Sequence, residues 1–134
     1  MKTFRIELLT RVGEFFFGMA REDARKILGE YSEFKKSKFS KNTSDDYKIC
    51  HIYYDTQNKV EAIEFFRDMD VELELNNIAL FEREYIDLAN YVKGFDAGVE
   101  IKSDGFVSKK GISVYAPSGK TETILLTSEN YWQD

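Results

Sequence analysis

Residues Ile52–Phe66 read IYYDTQNKVEAIEFF, two apolar runs separated by Asp55-Thr56-Gln57-Asn58. Turn-accepting residues between runs rich in β-branched and aromatic side chains spell a β-hairpin. The chain says something close to it 61 positions later, where Tyr115, Lys120, Glu122 and Ile124 stand in the places of Tyr54, Lys59, Glu61 and Ile63. There Pro117-Ser118-Gly119 supplies the turn. An isolated hairpin is marginal in water, so each copy needs other elements to cover it.

Those elements lie on the N-terminal side of each hairpin. Ala20 to Leu28 predicts a short helix, with Glu22 and Asp23 in the first turn and Gly29 as its stop. Phe81 to Lys93 predicts the second helix, because Phe81, Tyr85, Leu88 and Val92 fall at helical spacing before Gly94. Glu30 to Lys48 is a lysine-rich loop or frayed strand pair. Phe4, Ile6 and Leu8 alternate as a first strand, Gly13-Glu14-Phe15-Phe16-Phe17-Gly18-Met19 is a β-prone run, and Val99-Ile101 and Phe106-Val107 predict further short strands. The expected fold is therefore α+β: two helix-plus-antiparallel-strand repeats, about 13–66 and 78–127, forming one sheet with helices packed on one face. At 134 residues the chain fits a single domain, 1–134, able to bury roughly two-thirds of its unfolded surface.

Faces follow from alternation. In the second hairpin Ile112, Val114, Ile124 and Leu126 alternate with Ser113, Tyr115, Thr123 and Thr127, so the apolar set points inward. The offset of 61 carries His51, Tyr53, Ile63 and Phe65 inward and Ile52, Tyr54, Ala62, Glu64 and Phe66 outward. That outward set is too apolar to meet water alone; a partner or another segment must cover it, with Tyr54, Phe66 and Tyr115 as aromatic anchors.

Charge is unevenly spread. The net charge is −5, yet Glu61 to Asp87 holds nine acids against Arg67 and Arg83. This disfavours nucleic acid and suits a basic partner. Within it Asp68-Met69-Asp70-Val71-Glu72-Leu73-Glu74-Leu75 alternates acid and apolar. As one strand it would hold Asp68, Asp70, Glu72 and Glu74 outward in a row, the residues expected to contact the partner.

Other chemistry is sparse. Cys50 is the single cysteine, which excludes an intrachain disulfide and a multi-thiolate zinc site and fits a reducing compartment. The amino terminus breaks its apolar residues with Arg5, Glu7, Arg11 and Glu14, leaving no signal-like core and no membrane span, so the expected location is the cytoplasm. Ser118-Gly119-Lys120-Thr121 matches the end of a phosphate-binding loop, but Val114 occupies the place of its first glycine. Cys50 and His51 are strand neighbours facing opposite ways and cannot act as a pair. Glu61, Glu64, Glu72 and Glu74 have nothing in the sequence to fix an acid–base separation. No catalytic residue, cofactor or metal ligand is assigned.

With both halves in view, Gly13 to Met19, the charged segment Ala20 to Leu28, Gly29, the polar loop and the strand pair of Tyr53-Tyr54 and Val60 to Phe65 resemble the β-lactamase-inhibitor-protein-like repeat, shared with the small lipoprotein of outer-membrane assembly. The likeness covers residues 13–66 well and 78–127 loosely; Ala20 stands where a Ser or Thr cap is usual, and no lipidation cysteine precedes it. The resemblance implies a fold used for binding proteins, including as an inhibitor. The expected function is a protein-binding module, an inhibitor or toxin-immunity protein masking a basic partner. The alternatives are an enzyme or small-ligand binder on the open sheet face, and a structural homodimer.

Overall fold

Two sheets and two helices form where the sequence predicts one sheet. In the computed structural model, which describes residues 1–132, β1 (Lys2–Glu7), β2 (Arg11–Val12) and β3 (Phe15–Phe16) lead into α1 (Arg21–Leu28). Then come β4 (Ser32–Phe34), β5 (Ser44–Asp46), β6 (Cys50–Tyr54), β7 (Val60–Phe66), β8 (Val71–Leu75) and β9 (Ile78–Ala79). A 3-10 turn (Leu80–Glu82), α2 (Tyr85–Lys93), β10 (Gly105–Ser108), β11 (Ile112–Tyr115) and β12 (Thr123–Thr127) follow. No helix among the described residues is long and apolar enough to cross a membrane.

Seven strands lie in the order β10-β11-β12-β7-β6-β5-β4, every neighbouring pair antiparallel. The other five lie β3-β2-β1-β8-β9. The division happens after β7, where Asp68 (φ 65°) and Asp70 (φ 58°) adopt left-handed conformations that Asp tolerates better than most residues. The chain turns away, and β8 pairs in parallel with β1, from Lys2 opposite Val71 to Arg5 opposite Glu74. The expected eight-residue strand is thus only its last five residues.

One apolar core joins both sheets to both helices. Phe4 of β1 meets Phe65 of β7 with ring centroids 5.2 Å apart, α1 adds Ala24, and α2 adds Tyr85, Leu88, Ala89 and Val92. Burying one such large side chain contributes about 1.5–3 kcal/mol, which the short strands need. Helix α1 ends as predicted at Gly29, whose φ of 87° admits glycine readily. The second helix starts later than the spacing predicts, because Glu84 is extended (ψ 150°). Phe81 sits instead in the 3-10 turn, its N–H donating to Glu72 Oε1 at 2.8 Å. Val99 and Ile101 pack against the core from a loop and form no strand.

Both hairpins form, β6–β7 and β11–β12, and they meet through β7 and β12. Ile112, Val114, Ile124, Leu126, Ile63 and Phe65 point into the core as alternation predicts. The first strand does not follow the offset: Cys50, Ile52 and Tyr54 face the core, and His51 and Tyr53 face outward. A β-bulge is the cause. Between the pairs Tyr53–Ala62 and Tyr54–Val60 the register slips by one, leaving Glu61 as an extra residue in β7. Ile52 pairs with Ile63 as Val114 pairs with Ile124, so the hairpins correspond at 61 positions after the turn and at 62 before it. A slip of one exchanges the faces of a whole strand.

Candidate partner-docking face

The outward face of the seven-stranded sheet carries rows of side chains that the pairing fixes. One row crosses from Asp46 through His51, Glu64, Leu125 and Ser113 to Val107. The next holds Phe66, Thr123, Tyr115 and Gly105. Gly105 has φ +149°, and a Cβ there would stand 2.3 Å from the Val114 carbonyl oxygen, so only glycine fits opposite Tyr115.

Half of this face is covered by the chain itself. Lys36 Nζ lies 4.4 Å over the Tyr53 ring and donates to Tyr131 Oη at 2.5 Å, while Phe34 packs 4.5 Å from the His51 ring. Tyr53, Ala62 and Thr127 are buried beneath. The other half is open: Val107 is 53% exposed, Tyr115 52% and Trp132 37%. Together with Leu125, Ser113 and Glu64 they line a groove of about 420 Å³, rimmed by Glu100, Lys102 and Asp104.

The polar groups of the groove are unequally satisfied. Tyr53 Oη donates to Glu64 Oε1 at 2.6 Å. Burial, with the Glu64 carboxylate beside it, raises the Tyr53 pKa and keeps the phenol a donor. Glu64 makes no salt bridge among the described residues; His51 across the strand is turned to Asp46, 3.4 Å away. Ser113, only 7% exposed, has a buried Oγ with no hydrogen-bond partner among the described residues.

A second polar cluster lies on the core side of the same sheet, where Asp45 pairs with Ile52. Asp45 is fully buried. It accepts from Arg21 Nη2 at 2.8 Å, Arg25 Nε and Nη2 at 2.9 Å, and Tyr54 Oη at 2.7 Å. Burial alone would raise its pKa; the hydrogen bonds from Arg25, Arg21 and Tyr54 prevail and hold the carboxyl below its usual range. Arg21 and Arg25 stand one turn apart on α1, and their cations also stack on Tyr54 at 4.4 Å and Tyr31 at 4.2 Å. With both oxygens engaged, this cluster clamps α1 to the sheet.

The predicted site residues are dispersed. Tyr54 is an inward member of the Asp45 clamp, which corrects its reading as an anchor. Phe66 and Tyr115 do share the outward face. The acidic row is broken: Asp68 lies in the turn beside Phe66, Arg67 and Lys120, and Asp70 is 3.7 Å from the N-terminal ammonium. Glu72 is buried and accepts the N–H groups of Leu73 and Phe81, each at 2.8 Å, and Glu74 faces Arg5 at 3.6 Å. Glu72 thus fixes a turn and is removed from any surface role.

Sequence reasoning missed Asp45 and Ser113. The only trace of the clamp is the pair Arg21 and Arg25 at helical spacing, and nothing in Ser44-Asp45-Asp46 distinguishes the buried acid from its half-exposed neighbour. Cys50 is fully buried, and burial pushes its thiol up to about 12, so it remains an unreactive core residue. Ser118-Gly119-Lys120-Thr121 lies in the β11–β12 loop, where the Gly119 N–H donates to Ala116 O at 3.0 Å.

No protein-family model, curated protein or solved structure matches this chain.

Proposed function

We propose that this chain is a protein-binding module that docks its partner on the open half of the outward sheet face, acting in the cytoplasm as an inhibitor or immunity-type protein that masks a basic partner. The observation that carries this reading is the contrast within β10, β11 and β12. Their inward residues are sealed, while Val107 and Tyr115 stand more than half exposed around an apolar groove. Exposed aromatic and aliphatic groups gathered around a concavity are what interface anchors require. Three carboxylates, Glu64, Glu100 and Asp104, against Lys102 alone give the groove a negative field suited to a basic surface. The chain order of α1 before the first hairpin and α2 before the second supports the two-repeat, inhibitor-like resemblance.

The test uses the tagged full chain in its native cell beside a Val107→Asp variant, which sets a charge among the anchors without touching the core. A specific partner is expected with the wild type and lost with the variant, at unchanged melting temperature. An identical set of captured proteins from both would overturn the reading. Conversion of a concentration-dependent dimer to monomer by the variant would assign the face to self-association instead.

A further inference from the structure

The groove contains two acceptors with unused capacity, separated by an apolar residue. Glu64 and Ser113 flank Leu125 on consecutive antiparallel strands, all in one cross-strand row. Strands stand about 4.8 Å apart, so the two acceptors are rooted roughly 10 Å from each other. One carboxylate oxygen of Glu64 is bound by Tyr53; its other oxygen has no partner among the described residues, nor has the buried Ser113 Oγ. Leaving a buried hydroxyl unpaired is unfavourable, and a ligand donor placed there removes the penalty. The walls are Tyr115 and Trp132, whose ring faces attract cations.

We infer that the groove receives a lysine or arginine side chain from an extended segment of the partner, its charged head at Glu64, its aliphatic stem across Leu125 and a main-chain N–H at Ser113 Oγ. The dimensions agree: a long cationic side chain lays an apolar stem of three or four methylenes between its backbone and its charge. Both ends find acceptors and the middle finds Leu125. A neutral apolar side chain would fill the same space but leave Glu64 without a counter-charge and gain nothing from the carboxylates at the rim. Lys102 at the rim sets the sign limit, since a second cation placed there would be repelled. This inference rests on the docking reading above and adds the partner's chemistry to it.

Trp132 is the single tryptophan and lines the groove, so its emission reports on this place alone. The probes are a capped pentapeptide with a central arginine and the same peptide with citrulline, which keeps the shape and removes the charge. The arginine peptide is expected to shift Trp132 emission saturably and to bind about tenfold more tightly than the citrulline peptide. Glu64→Gln is expected to abolish that preference. Tyr53→Phe, which removes the neighbouring donor and leaves the Glu64 charge, is expected to keep it. Equal binding of the two peptides, or a preference that survives Glu64→Gln, overturns the cation assignment while leaving the docking face intact. No response to either peptide also overturns it, and the Val107→Asp capture then decides the docking reading separately.

Discussion

The two faces of the seven-stranded sheet are made by the same strands and obey different rules. Toward the core, Cys50, Ile52, Ile63, Phe65, Ile112, Val114, Ile124 and Leu126 form a closed apolar layer in which one acid, Asp45, is held by three donor side chains. On the outward face, Glu64 and Ser113 keep unused hydrogen-bonding capacity and Val107 and Tyr115 meet solvent. Satisfied polar groups and dense packing are what stability selects; open capacity beside exposed aromatics is what recognition requires. Under the proposed function, stability rests on the inward side of the sheet and docking on the outward side.

The strongest way to break this division is to substitute on each side in turn. Phe65→Ala, at a fully buried position against Phe4, is expected to cost about 3–5 kcal/mol in chemical denaturation. A loss below about 1 kcal/mol would show that the inward layer is not the core.

Asp45→Asn sharpens the comparison on the polar side. It leaves two arginines without their shared carboxylate, and because both retain some contact with water the expected cost is about 2–3 kcal/mol, less than for a fully buried pair. The folded pKa of Asp45 is lowered, so its stabilisation is complete above the unfolded value near ~3.9 and is lost as pH falls from there through the lower folded value. Unfolding free energies of wild type and variant are expected to converge below pH ~4. A gap that stays constant down to pH ~2 would remove the linkage.

The smallest expected effect belongs to the outward side. Tyr115→Ser is expected to change stability by less than about 0.5 kcal/mol while weakening partner capture severalfold. A large drop in melting temperature would place Tyr115 among the structural residues instead.

How much of this was legible in the sequence depended on whether a local rule was left undisturbed. β7 and β12 read correctly because strict alternation places Ile63, Phe65, Ile124 and Leu126 on one side and no residue interrupts the pattern between them. β6 read on the wrong face because the bulge at Glu61 is invisible to a constant offset; Tyr54 matched Tyr115 by type, while its equivalent position in the second hairpin, 62 residues on, is Ala116. The acidic row failed for another reason. Alternation describes a strand only once a strand exists, and the left-handed Asp68 and Asp70 keep β8 from starting before Val71, which leaves it two carboxylates instead of four. Burial of Asp45 depends on arginines 20 and 24 positions away, and the buried, unpartnered Ser113 hydroxyl on three strands meeting; neither is a local property.

The parallel pairing of β1 with β8 has a consequence for synthesis. Lys2 leaves the ribosome well before its partner Val71 has been made, so the five-stranded sheet cannot close until then. β7 then waits longer still, since β12 begins only at Thr123. Until then one side of β7 is a long, apolar, unpaired edge, the kind of surface that recruits other strands. The nascent chain therefore passes through a stage, from about residue 76 to residue 127, in which β1 to β8 have been made and the central strand β7 is exposed along one side. Chaperone demand should be concentrated in that interval, and slow translation across residues 76–122 should lower the yield of native protein more than an equal delay elsewhere.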